Sequence, residues 1–136
     1  MRQTGRRRVG AIVLTVGVGL IADVFAQYPG WLIPAGGKDE KSPVTSPVAA
    51  ASRGKALFLS NCARCHGPEG KGDGPDSDHA ADLTDDLRDE LNTEGVLFYK
   101  VWNGRSSPRM PNFEDQLSKE QAWAVVAYVQ TLRKKS

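Results

Sequence analysis

Two thiols and an imidazole fall within one short stretch of the chain, Cys62-Ala63-Arg64-Cys65-His66. Cys-x-x-Cys-His reads as the attachment site of a c-type haem. Each thiol would bond to a haem vinyl group, and the following His would ligate the iron from one side. Two other chemistries use such a pair. Zinc needs about four N or S ligands, which Cys62, Cys65, His66 and His79 would just supply, but the His66-to-His79 spacing is not that of a usual finger. A thioredoxin-like pair needs a βαβ setting. Here a helical pattern precedes Cys62 and a Gly-rich loop follows His66. The chain has only 2 cysteines, so their close spacing beside a His makes a chance pair of buried thiols a poor account.

Haem iron needs a sixth ligand or an open site. Met110 stands 44 residues after His66, between Pro108 and Pro111. Two prolines restrict the backbone there, and a proline-bracketed loop is a poor place for a Met that only fills core. Ligation by His and Met is the arrangement that raises the potential of a haem. Trp102 reads first as core, with a ring N–H that could reach a haem propionate. Arg105 and Arg109 could pair with propionates or remain solvated. His79 lies in an Asp-rich loop and reads as a surface residue.

The elements that must position these groups are helices. Ser52 to Asn61 carries Gly54, Leu57, Phe58 and Asn61 on one face. Gly67 to Asp78 is rich in Gly and Pro and reads as a loop. Thr84 could cap a short helix lined by Leu83, Leu87 and Leu91. A further helix is expected from Asn92 or Thr93 to about Trp102, with Leu97 and Val101 inward, ended by Asn103-Gly104. Ser118 with Gln121 forms a capping box for the last helix. Its apolar stripe is Ala122, Val125, Val126, Val129 and Leu132, with Trp123 outside it as a cover. Arg133, Lys134 and Lys135 oppose the dipole at its end. No segment reads as a strand, so the fold class is all-α.

From Gly54 to Leu132 the chain resembles a class I cytochrome c of the small bacterial monohaem type. The matching pieces are Gly54 with Phe58, Cys62-x-x-Cys65-His66-Gly67, Gly74-Pro75, Val101-Trp102-Asn103-Gly104, Met110-Pro111-x-Phe113, and Ala127-Tyr128-Val129. The resemblance implies the cytochrome c fold, three to five helices with long loops wrapped around one covalently bound haem. It implies that the first and last helices cross closely at Gly54, with Phe58 near Tyr128. It also implies that a carbonyl in the Gly-Pro loop, that of Pro75, accepts the second imidazole N–H, which would fix the ring.

Composition bounds the rest. The chain has 136 residues, 40% of them hydrophobic, and a net charge of +2, which is room for one domain. Four of the 18 basic residues and one of the 16 acidic ones precede Gln27, leaving 14 against 15. No basic surface remains for nucleic acid. Arg6-Arg7-Arg8 followed by the apolar run Val9 to Ala22 reads as an export signal cut before Gln27, or as a retained membrane anchor. Either places the remainder outside the cytoplasm, since the arginines stay inside. The organisation expected is a signal or anchor over 1–26, a Pro-rich linker over 27–50 and a cytochrome c domain over 51–136.

The function this points to is a periplasmic carrier of single electrons, with no bond-making chemistry and no small-molecule substrate. Leu57, Leu97, Val101, Phe113 and Val126 would form an apolar pocket, and the haem edge near Cys62 and Cys65 would meet transient redox partners. A membrane-tethered subunit of a larger oxidoreductase complex is the second reading. A haem ligand sensor is the third, should Met110 dissociate easily.

Overall fold

Two helices from opposite ends of the folded region cross where one of them lacks a side chain. In the computed structural model, which describes residues 31–85, 91–107 and 109–133, α1 spans Ala35–Asp39, α2 Pro47–Asn61, α3 Ala63–His66, α4 Glu94–Asn103 and α5 Lys119–Leu132. Gly54 of α2 is buried against α5. A Cβ added at Gly54 would overlap the carbonyl oxygen of Ala124, so the two backbones approach as closely as the peptide allows. Next to the crossing, Phe58 is fully buried and tilts against Tyr128, with ring centroids 5.3 Å apart. Both contacts agree with the expectation from the resemblance.

The α2 helix begins earlier than the Ser52 expected from periodicity. Pro47 stands at its first turn, where a fixed φ and a missing N–H are both tolerated. Small alanines then carry the helix into the Phe58 turn. The α5 helix starts at the expected capping box. The Gln121 N–H donates to Ser118 Oγ at 3.2 Å, and the Ser118 N–H donates to Gln121 Oε1 at 2.8 Å. Thr93 caps α4 by accepting from the Val96 N–H, and Gly104, at φ +60°, ends it.

Trp123 departs from expectation. It is 3% exposed and stacks on Phe98 of α4, with centroids 4.2 Å apart. The reason is that α5 is covered on two sides, by α2 and by α4. Ala122 through Val126 are all buried in succession, a pattern that a single amphipathic stripe does not describe.

The segment expected as a linker over 27–50 is also partly structured. The short α1 packs on α4, and the Thr93 hydroxyl donates to the Lys38 carbonyl at 3.1 Å. Gly95 of α4 makes this possible. A Cβ there would lie 2.6 Å from the Glu40 oxygen and 2.7 Å from the Gly37 oxygen. The folded unit therefore reaches back past residue 51.

Leu83 packs against the core and Leu91 is exposed at 37%, while Leu87 lies outside the described residues, as do 1–30 with the proposed signal or anchor. Thr84 sits in a turn, its N–H and hydroxyl both donating to Asp82 Oδ1. Among the described residues there is no strand, only an isolated backbone bridge between Arg105 and Met110, and no helix is long and apolar enough to cross a membrane.

Gly54→Val should force α2 and α5 apart and cost about 3 kcal/mol, the upper end of ordinary overpacking. Chemical denaturation of the purified protein, read by helical circular dichroism, measures it.

Candidate haem site

The motif begins where α2 ends. The Cys62 N–H donates to the Phe58 carbonyl at 2.8 Å, and the N–H groups of Cys65 and His66 both turn back to the Cys62 carbonyl, at 3.1 and 2.9 Å. These bonds make α3 one tight turn, so Cys62 and Cys65 share a face as residues three apart do. Both thiols are free and half-buried.

The Gly-rich loop then folds under this turn. The Gly72 N–H donates to the His66 carbonyl at 2.8 Å, Gly74 to Cys65 at 3.1 Å and Asp76 to Arg64 at 2.9 Å. Arg64 and Asp76 also pair through their side chains, at an exposed site where an ion pair is worth little. The imidazole is gripped beyond this point. His66 Nδ1 lies 3.0 Å from the Ala81 carbonyl oxygen. A carbonyl only accepts, so Nδ1 carries the proton and Nε2 keeps its lone pair for a metal.

This corrects the expected acceptor, Pro75. The Gly74-Pro75 turn is pinned under α3 by the N–H groups of Gly74 and Asp76, which donate to the Cys65 and Arg64 carbonyls, and Pro75 lies exposed while the ring meets Ala81. The chain needs the further stretch to Ala81 before a carbonyl meets the ring. Leu83, two residues on, is tied by its N–H to the Gly70 carbonyl at 2.7 Å and packs against the core. Sequence reasoning missed Ala81 because a backbone acceptor has no side-chain signature.

Burial sets the protonation of the site. It pushes the Cys62 thiol up to about 12, with Cys65 adding to the effect. Burial also holds His66 below its ordinary range, partly opposed by the bond to Ala81. A neutral imidazole is the form that ligates a metal. A thiol-redox pair needs the opposite of what Cys62 has, a lowered thiol pKa. Among the described residues no three His, Cys, Asp or Glu side chains are gathered as a metal cluster. His79 is exposed, at φ +66°, beside Asp78.

Met110 is set by the loop between α4 and α5. Its N–H donates to the Arg105 carbonyl at 2.9 Å, and it accepts from the Arg105 N–H at 2.8 Å. The Phe113 N–H turns back to the end of α4, to the carbonyls of Val101 at 3.2 Å and Trp102 at 3.3 Å. Leu97, Val101, Phe113 and Val126 of the expected pocket are buried, and Leu57 is half-buried. Leu57, Cys62, Ala63, Leu83 and Met110 all pack against the core while remaining partly open. Half-covered apolar groups next to paired thiols and a neutral imidazole fit a flat apolar macrocycle with a metal at its centre. Of the other expected contacts, Trp102 stacks on Phe98 with centroids 5.7 Å apart, Lys119 lies over its ring, and Arg109 is exposed. The Arg105 guanidinium lies over the Trp31 ring.

The family model for cytochrome c matches residues 51–133, and the chain belongs to that family. It is 32% identical over 97 residues to cytochrome c550 of Pseudomonas aeruginosa, covering 68% of this chain and 66% of that one. It is 34% identical over 83 residues to FixP, a cbb3-type cytochrome c oxidase subunit of Azorhizobium caulinodans, covering 61% of this chain and 27% of that one. The match thus spans just under two thirds of the first relative and about a quarter of the second. Among solved structures, the KustC0563 c-type cytochrome superposes with a TM-score of 0.53 at 23% identity, over 60% of this chain and 98% of that one. The Kuenenia stuttgartiensis reducing HAO-like protein complex Kustc0457/Kustc0458 gives 0.60 at 24%, over 70% and 50%. These two likenesses show the cytochrome c fold. The protein is a c-type cytochrome that binds haem c covalently, with Cys62 and Cys65 fitting the attachment motif.

Replacing both Cys62 and Cys65 by Ser should reduce haem staining on a denaturing gel to background. Replacing one should leave a single thioether and shift the alkaline pyridine haemochrome band to the red, the sign of a vinyl group left free.

Proposed function

We propose that the protein carries single electrons between redox partners on the periplasmic side of the membrane, with His66 and Met110 as the axial ligands of its one haem. The observation that carries the ligand reading is the bond from His66 Nδ1 to Ala81. It fixes the ring, selects the tautomer and aims a neutral Nε2 away from the loop that holds it. Met110 is the complementary donor, a soft thioether on a loop pinned by two backbone bonds to Arg105 and braced by Phe113. When bound, the haem supplies one-electron exchange between ferric and ferrous iron. The chain does the rest. His66 keeps its basicity through the Ala81 bond, and Met110 favours the reduced state and keeps the potential high. Leu97, Val101, Phe113 and Val126 keep water from the inner side. The exposed edge near Cys62 and Cys65 serves partners that bind weakly and leave quickly.

A second reading keeps the same redox chemistry within a membrane-tethered subunit of a larger oxidoreductase complex. The likeness to an oxidase subunit favours it, as does the docking of residues ahead of α2 on α4. The mass of the mature protein separates the two, since a chain starting at Gln27 is the free carrier. Carbon monoxide titration of the reduced protein tests a ligand-sensing role, which a firmly held Met110 should resist.

Met110→Ala should remove the weak long-wavelength band of Met-ligated ferric haem. It should also lower the potential by on the order of 0.2 V, within the roughly 0.8 V that axial ligands span. Spectroelectrochemical titration reads both, and unchanged values would assign the sixth position elsewhere. His66→Ala should yield no stable holoprotein, judged by the absence of a Soret band in the soluble fraction.

A further inference from the structure

Trp31 stands ahead of the region that the family model matches, yet its ring meets the loop that carries Met110. The Arg105 guanidinium carbon lies 4.8 Å from the ring centroid and Lys100 Nζ lies 5.3 Å from it. Both are inside the roughly 6 Å reach of a cation–π attraction. Trp31 is half-buried, as is Arg105. Arg105 is also the residue whose N–H and carbonyl close both hydrogen bonds to the Met110 backbone, at 2.8 and 2.9 Å. Contact therefore runs from the Trp31 ring through the Arg105 side chain to the Met110 loop. A separate observation shows that the segment bearing Trp31 is seated by design of the backbone. Gly95 is buried in the first turn of α4, and Glu40 and Gly37 place their carbonyl oxygens where its Cβ would be. The Thr93 hydroxyl adds its bond to Lys38.

We propose that Trp31 is a positioning residue for Met110: by holding the Arg105 side chain it keeps the Arg105–Met110 backbone pair closed and the thioether at the iron. The inference rests on the reading of Met110 as the sixth ligand. Opening that loop to admit another ligand moves Arg105, and moving Arg105 breaks its contact with Trp31. The strap ahead of α2 thus raises the barrier to losing the Met ligand. Trp31 lies beyond Gln27 and is retained whether or not the leader is cut.

The test uses the full-chain ferric holoprotein with imidazole as the competing ligand, followed by the Soret shift and by loss of the long-wavelength band. Trp31→Leu keeps apolar bulk and removes the π face. It should raise imidazole affinity about fivefold, equivalent to about 1 kcal/mol, the scale of a partly exposed cation–π contact. Trp31→Phe should restore most of the original affinity. Gly95→Ala introduces a better helix former but pushes the strap away, and it should raise the affinity in the same direction. If both Trp31→Leu and Gly95→Ala bind imidazole as the unmodified protein does, the proposal is overturned, even where melting temperatures fall. Met110→Ala separates the two readings. If Met110→Ala opens the iron to imidazole but Trp31→Leu, made in the otherwise unmodified protein, leaves the affinity unchanged, the positioning role alone is defeated. Unchanged affinity in Met110→Ala defeats the ligand assignment and the positioning role together.

Discussion

The structure depends on one close approach, the backbone of Gly54 against that of Ala124. Cys62 lies two turns further along α2, and its N–H is still bonded to Phe58 of that helix. Wherever α2 is placed, the attachment turn follows rigidly. Fixing α2 on α5 therefore fixes the thiols and imidazole relative to the wall formed by Val125, Val126 and Val129. The α4 helix is set on the same α5 by Phe98 against Trp123, and the Met110 loop leaves from the end of α4. The two halves of the candidate site come from distant parts of the sequence, and α5 is the common reference for both.

Most of this was legible because the signals are local. The attachment motif is five consecutive residues. The capping box at Ser118 and Gln121, the Thr93 start of α4 and its Gly104 stop are each written within a turn of chain. What could not be read depends on tertiary approach. Trp123 looks peripheral on a helical wheel and becomes central only once α4 lies on that side. The acceptor for His66 is a carbonyl, which every residue owns, so only the path of the loop selects Ala81 over Pro75. The segment before α2 was expected to be a linker because its prolines and glycines cannot build a core. That reasoning holds, yet a segment that builds no core can still lie on one where a partner helix offers a bare glycine such as Gly95.

Burial governs the electrostatics of the site more than charge does. The ion pair within the attachment turn and its loop, Arg64 with Asp76, is exposed. Desolvation holds Cys62 as a neutral thiol and His66 as a neutral ring. Thioether formation would remove the thiol proton from consideration, and the proposed ligation by His66 would do the same for the imidazole lone pair. The protein thus presents its prosthetic group with uncharged donors in a partly apolar setting.

The open apolar residues explain why so small a unit has this form. Its buried cluster is thin, and Leu57, Ala63, Leu83 and Met110 touch it without completing it. A domain of this size often needs a covalent or metal staple. A haem bonded through Cys62 and Cys65 would supply one, together with the apolar surface those residues lack. The groups that look least finished in the bare chain are those that would face the macrocycle. With Met110 as the proposed sixth ligand, it would contribute twice, as a donor to the iron and as part of the apolar seal. The backbone pair with Arg105 would restrain both contributions at once, so on the proposed ligation whatever holds Arg105 would also govern access of water to the metal.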